Sequence, residues 1–145
     1  MADERDRESL RDLDGVRIAI EPLALASPVK GITADELAQA AARKLERAGI
    51  RLLNAGAYPV GDPYLRVQVV TSSETNGFTA YCVQVDFVQI VFLRRNPAVT
   101  FNRAETWKAN PRLNLVPTSQ LGPAILDELF AQLDQFVAAY RAVNA

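Results

Sequence analysis

Residues 78–94 read as one long strand, which needs a sheet around it. Tyr81, Val83, Val85, Phe87, Val91 and Leu93 share one face. Cys82, Gln84, Asp86, Val88, Ile90 and Phe92 share the other. Asn76-Gly77, closing the loop 72–77, supplies the positive φ of a hairpin turn just before this strand. The partner on the far side of the turn covers about residues 64–72, with Leu65, Val67 and Val69 on one face and Arg66 and Gln68 on the other. Asn96-Pro97 marks the next turn. A further strand within 99–108 extends the meander, with Phe101 and Trp107 on one face.

Two helices flank this meander. Thr33 caps the first and Glu36 completes a capping box, while Ile32 and Leu37 stand at the ends of a hydrophobic staple. Leu37, Ala41, Leu45 and Ala48 follow on one face, and Gly49 occupies the position where a left-handed residue ends a helix. The spacing predicts a helix over 33–48. Gly122-Pro123 opens the second, whose stripe runs through Leu126, Leu129, Phe130, Leu133, Phe136, Val137 and Tyr140. Asp127 and Glu128 near its start and Arg141 near its end suit the helix dipole.

Residues 16–20 read as a short strand closed by Pro22, and residues 50–53 as another directly after the first helix. Loops are expected at 23–31, with Pro28 and Gly31, at 54–63, with Asn54, Gly56, Pro59, Gly61 and Pro63, and at 109–121. The order β-α-β-β-β-β-α is that of an α+β two-layer sandwich: a mainly antiparallel sheet of about five strands with both helices on one face. Residues 1–14 read as a mobile or frayed helical arm, and 15–145 as a single α+β domain.

Composition excludes whole classes of chemistry. The chain has no histidine, which removes Ser-His-Asp triads, Cys-His dyads, His-ligated zinc and imidazole bases together. Cys82 is the single cysteine, so neither an internal disulfide nor a CxxC pair can form, and it reads as a buried or edge thiol. Neither GxGxxG nor GxxxxGK[ST] occurs. Glu21, Asp62 and Glu105 are too scattered to imply a metal site. No catalytic residue, metal or cofactor is expected. A net charge of −1 gives no field that favours nucleic acid or an anionic membrane. No apolar run reaches the ~18 residues of a membrane span. The start of the chain lacks a basic, then apolar, leader. This points to a cytoplasmic protein, or to a periplasmic one if a signal peptide has been removed.

Two sets of residues remain as candidates for function. Val88, Ile90 and Phe92 form an apolar triplet on the face turned away from the helices, which Phe101, Trp107 and Tyr64 could extend. Such a patch calls for a cover: the segment 98–121, the N-terminal arm, a second copy of the chain, or an unlike partner. Arg66, Gln84 and Asp86 form a polar group on the same face, either a ligand site or a solvated cross-strand pairing. Gln89 interrupts the apolar series and needs partners, through a neighbouring loop, a ligand or a bulge that turns it outward and Val88 inward. Arg94, Arg95, Arg103 and Lys108 are the basic cluster, read as a solvated turn.

The capped helix ending Leu45-Glu46-Arg47-Ala48-Gly49-Ile50, within this element order, resembles the N-terminal α+β domain of TolB and related envelope lipoproteins. Residues 81–94, Thr106-Trp107 and 133–144 are also similar to a family of short uncharacterised bacterial proteins. The resemblance covers about residues 14–144. It implies a non-enzymatic binding or assembly role near the bacterial envelope and carries no catalytic residues.

Overall fold

The computed structural model describes residues 4–29, 32–54 and 61–144; the rest of the expected loops 23–31 and 54–63, the first three residues and Ala145 lie outside the described residues. Its spine is the long strand that the alternation predicts. In chain order the elements are α1 (Glu4–Glu8), β1 (Arg17–Ile20), α2 (Ala34–Arg47), β2 (Tyr64–Thr71), β3 (Phe78–Leu93), β4 (Asn96–Lys108), β5 (Arg112–Pro117), a 3₁₀ turn (Thr118–Gln120) and α3 (Leu121–Val143). The five-stranded sheet has the order β1-β2-β3-β4, with β5 also paired to β3. β1 and β2 are parallel and the other pairs antiparallel. β3 is long enough to hold two partners on one edge: β5 along residues 78–83 and β4 along residues 86–93.

That arrangement leaves a gap in the ladder between β4 and β5, and a side chain from α3 fills it. Gln132, fully buried, accepts from the Val85 N–H at 2.8 Å and donates to the Val83 carbonyl at 2.6 Å. Its amide also donates to Glu128 at 3.0 Å, and Arg112 donates to the same carboxylate at 3.4 Å. A buried amide side chain thus replaces a missing strand, as the satisfaction of backbone groups requires. Glu128, noted from the sequence only for its place near the start of this helix, is buried.

α2 and α3 cover one face of the sheet. Leu37, Ala41 and Leu45 meet Leu65, Val67, Val83, Val85 and Phe87 from the sheet and Leu129, Leu133 and Phe136 from α3 in one core. Phe136 stacks on Phe87 at 6.0 Å between centroids and takes the edge of Trp107 at 5.4 Å. The cap of α2 is as expected: the Thr33 hydroxyl accepts from the Glu36 N–H at 3.1 Å, and Gly49 has a φ of +82°. The hairpin turn before β3 also follows the sequence, with Asn76 and Gly77 both at positive φ.

The five strands are not the five that the sequence suggests. Residues 50–53 make only a single parallel bridge, Val16 to Leu52. The reason lies in the end of α2, where the Gly49 and Ile50 amides donate back to Glu46 and Leu45. Ile50 is thereby folded into the core. The fifth strand is instead β5, within the expected loop. Its period is hidden because Leu113 and Leu115 face outward, 76% and 65% exposed, while Asn114 reaches the Tyr81 hydroxyl. The turn between β3 and β4 is made by Arg94 and Arg95 rather than Asn96-Pro97, and α3 opens at Leu121, ahead of Gly122-Pro123.

The N-terminal segment is docked on the helix side rather than free. Leu10 is fully buried in the core. Asn144 donates to the Leu10 carbonyl and accepts from the Asp12 amide, both at 2.8 Å, and the Tyr140 hydroxyl donates to Leu13 at 3.2 Å.

Candidate functional site

The outer face of the sheet, opposite the helices, carries the candidate residues. Register sets them in rows. One row runs Arg17, Tyr64, Val88, Glu105; the next runs Ala19, Arg66, Asp86, Lys108. An extra residue in β4 at Thr106 makes the second half of these rows possible, because Val88 faces Glu105 while Phe87 faces Trp107.

Arg66, Gln84 and Asp86 come together as the sequence suggests. Arg66 forms a two-pronged bond to Asp86, Nε to Oδ1 at 2.8 Å and Nη2 to Oδ2 at 2.7 Å. The Asp86 side chain is fully buried and that of Arg66 is 20% exposed. Gln84 adds a longer bond to Oδ2 at 3.4 Å, and Glu105 stands 3.5 Å from the Arg66 Nη2. The bond to Asp86 holds the Arg66 guanidinium more firmly protonated than usual. Burial pushes Glu105 above the ordinary carboxylate range, helped by the charge of Asp86 and opposed by Lys108 and Arg66. Bidentate geometry with a buried carboxylate makes this a closed structural network. Its acceptors are already occupied.

Gln89 does not join that group. It lies on the helix side, where its amide donates to Thr106 Oγ1 at 2.9 Å and to the Ser9 carbonyl at 3.2 Å. Of the alternatives open from sequence, it takes the bond to a neighbouring segment and ties down the N-terminal arm.

The expected apolar patch is divided. Trp107 belongs to the core on the helix side and Val88 is fully buried, so neither presents a surface. Ile90 and Phe92 are 41% and 63% exposed on the outer face. Phe101 is exposed too, but stands opposite Val91 and so on the reverse face of the hairpin. Among the described residues neither 98–121 nor the N-terminal segment covers Ile90 and Phe92, because β4 and β5 lie in the sheet and the arm lies behind it. A second apolar strip crosses the other end of the outer face, where Val70, half-buried Cys82 and Leu113 share a row and Leu115 lies beside Ala80. The four basic residues do not cluster. Arg94 and Arg95 form the hairpin turn, Lys108 faces Asp86, and Arg103 lines a cleft.

That cleft, about 360 Å³, opens beside the closed network. Arg17, Glu21 and Asp62 line one side, Asn102 and Arg103 the other, with Tyr64 and Ile90 between them. Arg17 stacks over the Tyr64 ring at 4.6 Å and meets Asp62 at 3.5 Å. Gly61, at a φ of +92°, turns the chain so that its carbonyl accepts from the Ile90 N–H at 2.7 Å, which fixes Asp62 at the rim. Tyr64 is 5% exposed, and its buried hydroxyl has no hydrogen-bond partner among the described residues. Sequence reading noted Tyr64 only as a possible extension of the apolar patch. The signal that could have flagged it is the placement of a phenol in the row between Arg17 and Val88.

Among the described residues no group of three metal-ligating side chains comes together, and no helix is long and apolar enough to cross a membrane. The fold is an α+β two-layer sandwich, a mainly antiparallel sheet with its long helices on one face. No protein-family model and no curated protein matches the chain. Solved structures similar to it are bacterial. A PelC variant dodecamer from Paraburkholderia phytofirmans has a TM-score of 0.47 at 15% identity, over 83% of this chain and 86% of that one. A second PelC dodecamer from the same organism scores 0.44 at 12% identity, over 89% and 91%. A minor lipoprotein from Acinetobacter baumannii scores 0.39 at 17% identity, over 90% and 95%. At these scores and identities the likenesses carry nothing about function over to this chain.

Proposed function

We propose that this protein is a non-enzymatic binding or assembly module that works through the outer face of its sheet, with a second copy of the chain as the partner. One observation supports this above all: Ile90 and Phe92 at one end, and Val70, Leu113 and Leu115 at the other, stand exposed on the same face. Between them the charged residues neutralise one another, so the face offers apolar contact without a large net charge to repel a copy of itself. The bacterial envelope setting belongs to the same reading and rests on the TolB-like pattern of residues 45–50.

Sedimentation velocity over a wide concentration range tests the assembly. The wild-type chain is expected to associate, and Ile90→Glu and Leu113→Glu to sediment as folded monomers. A wild-type chain that stays monomeric throughout, or variants that associate as well as it does, would overturn the reading. Fractionation of host cells tests the setting; recovery confined to the cytoplasm counts against it.

A further inference from the structure

We infer that the cleft on the outer face binds a small zwitterion, an amino acid or short peptide with free amino and carboxyl groups. The neighbouring Arg66–Asp86 network has no capacity for a ligand because its groups bond each other. Around the cleft Arg17 and Asp62 pair with each other, but other groups are left over. Among the described residues the buried Tyr64 hydroxyl has no hydrogen bond, a costly state that native structures tolerate where something else completes the site. Among the described residues Arg103 and Glu21 have no ion-pair partner, and the Asn102 side chain makes no hydrogen bond.

The charges decide the ligand class. Two guanidinium groups and two carboxylates line the same cleft, which suits neither a simple anion nor a simple cation. Arg17 and Asp62 pair with each other on the β1 side, which leaves Glu21 there to take an ammonium group, while Arg103 and Asn102 across the cleft on β4 can take a carboxylate as a planar fork with an amide beside it. Ile90 and Ala19 supply apolar wall for a small side chain. A volume of about 360 Å³ falls at the small end of ligand sites, the size of an amino acid or dipeptide. This goes beyond assembly and does not depend on it.

The test is titration of the full chain with the dipeptide L-alanyl-L-leucine and with free L-leucine, followed by amide NMR shifts. Saturable shifts are expected at residues 17–21, 61–64 and 102–103 with at least one of the two. Arg103→Gln and Glu21→Gln are each expected to weaken binding about tenfold, the scale of one charged hydrogen bond. Blocking either end, by N-acetylation or C-terminal amidation, is expected to weaken it similarly. Tyr64→Phe separates binding from folding: the free variant keeps the wild-type melting temperature or exceeds it, yet loses affinity. No saturable shift with either probe would overturn the inference. So would an N-acetylated probe that binds as tightly as the free one, since the site would then read only the anion.

Discussion

Two neighbouring parts of the outer face, built on the same strands, use their charges in opposite ways. Around Asp86, register brings Arg66, Gln84 and Glu105 within bonding distance, and the carboxylate disappears from solvent. One row away, Arg17, Arg103, Glu21 and Asp62 surround a cleft and bond each other loosely or not at all. The difference is geometric. Arg66 and Asp86 face each other across adjacent strands, where an arginine fork spans the distance. Arg103 and Glu21 lie on opposite sides of the sheet with Tyr64 and Ile90 between them. Polar residues that satisfy one another hold a fold together; those kept apart by the scaffold are available to a ligand.

The contrast can be broken at its strongest point. Replacing Arg66 by Met leaves the buried Asp86 without its main partner, and urea unfolding should show a loss of about 3–5 kcal/mol. A double variant, Arg66→Met with Asp86→Leu, should recover much of that loss. A small effect of the single change would mean that the network is less closed than its distances indicate.

The same rule acts on the helix side through Gln132. Gln132→Leu leaves the Val85 N–H and Val83 carbonyl unpaired in the core. It should cost about 2–4 kcal/mol and speed hydrogen exchange at Val85.

Titration sharpens the comparison further. Glu105 binds its proton more tightly in the folded chain than in the unfolded one. Stability should therefore fall as pH rises from the ordinary carboxylate value through the raised one. Glu105→Gln should flatten that part of the pH–stability curve. The smallest effect belongs to Tyr64→Phe, which removes no hydrogen bond seen among the described residues and should leave stability unchanged or raise it by no more than about 0.5 kcal/mol.

Much of this was legible in the chain because it rests on local rules. The capped helix from Thr33, the Asn76-Gly77 turn and the faces of β3 follow from spacing and dihedral preference alone. The meeting of Arg66 with Asp86 across adjacent strands was visible in the sequence, as a ligand site or a solvated pairing; that the carboxylate would be buried was not. Trp107 was misplaced, and which of its open alternatives Gln89 takes was not legible. The extra residue at Thr106 lets Glu105 and Lys108 both face outward and turns Trp107 inward, and Gln89 reaches a segment eighty positions earlier. Neither a bulge nor a long-range partner leaves a periodic signal. β5 escaped because its leucines point to solvent, where an alternation looks like a loop.

The sequence by itself determined the α+β class, the faces of β3 and α2 and the absence of histidine and disulfide chemistry, because these depend on residue type and on periods of two or 3.6. Only the tertiary structure decided which segment became the fifth strand, that Gln132 bridges the gap beside it, and which charges meet. Those outcomes depend on register between strands distant in the chain, where a shift of one residue exchanges the two faces.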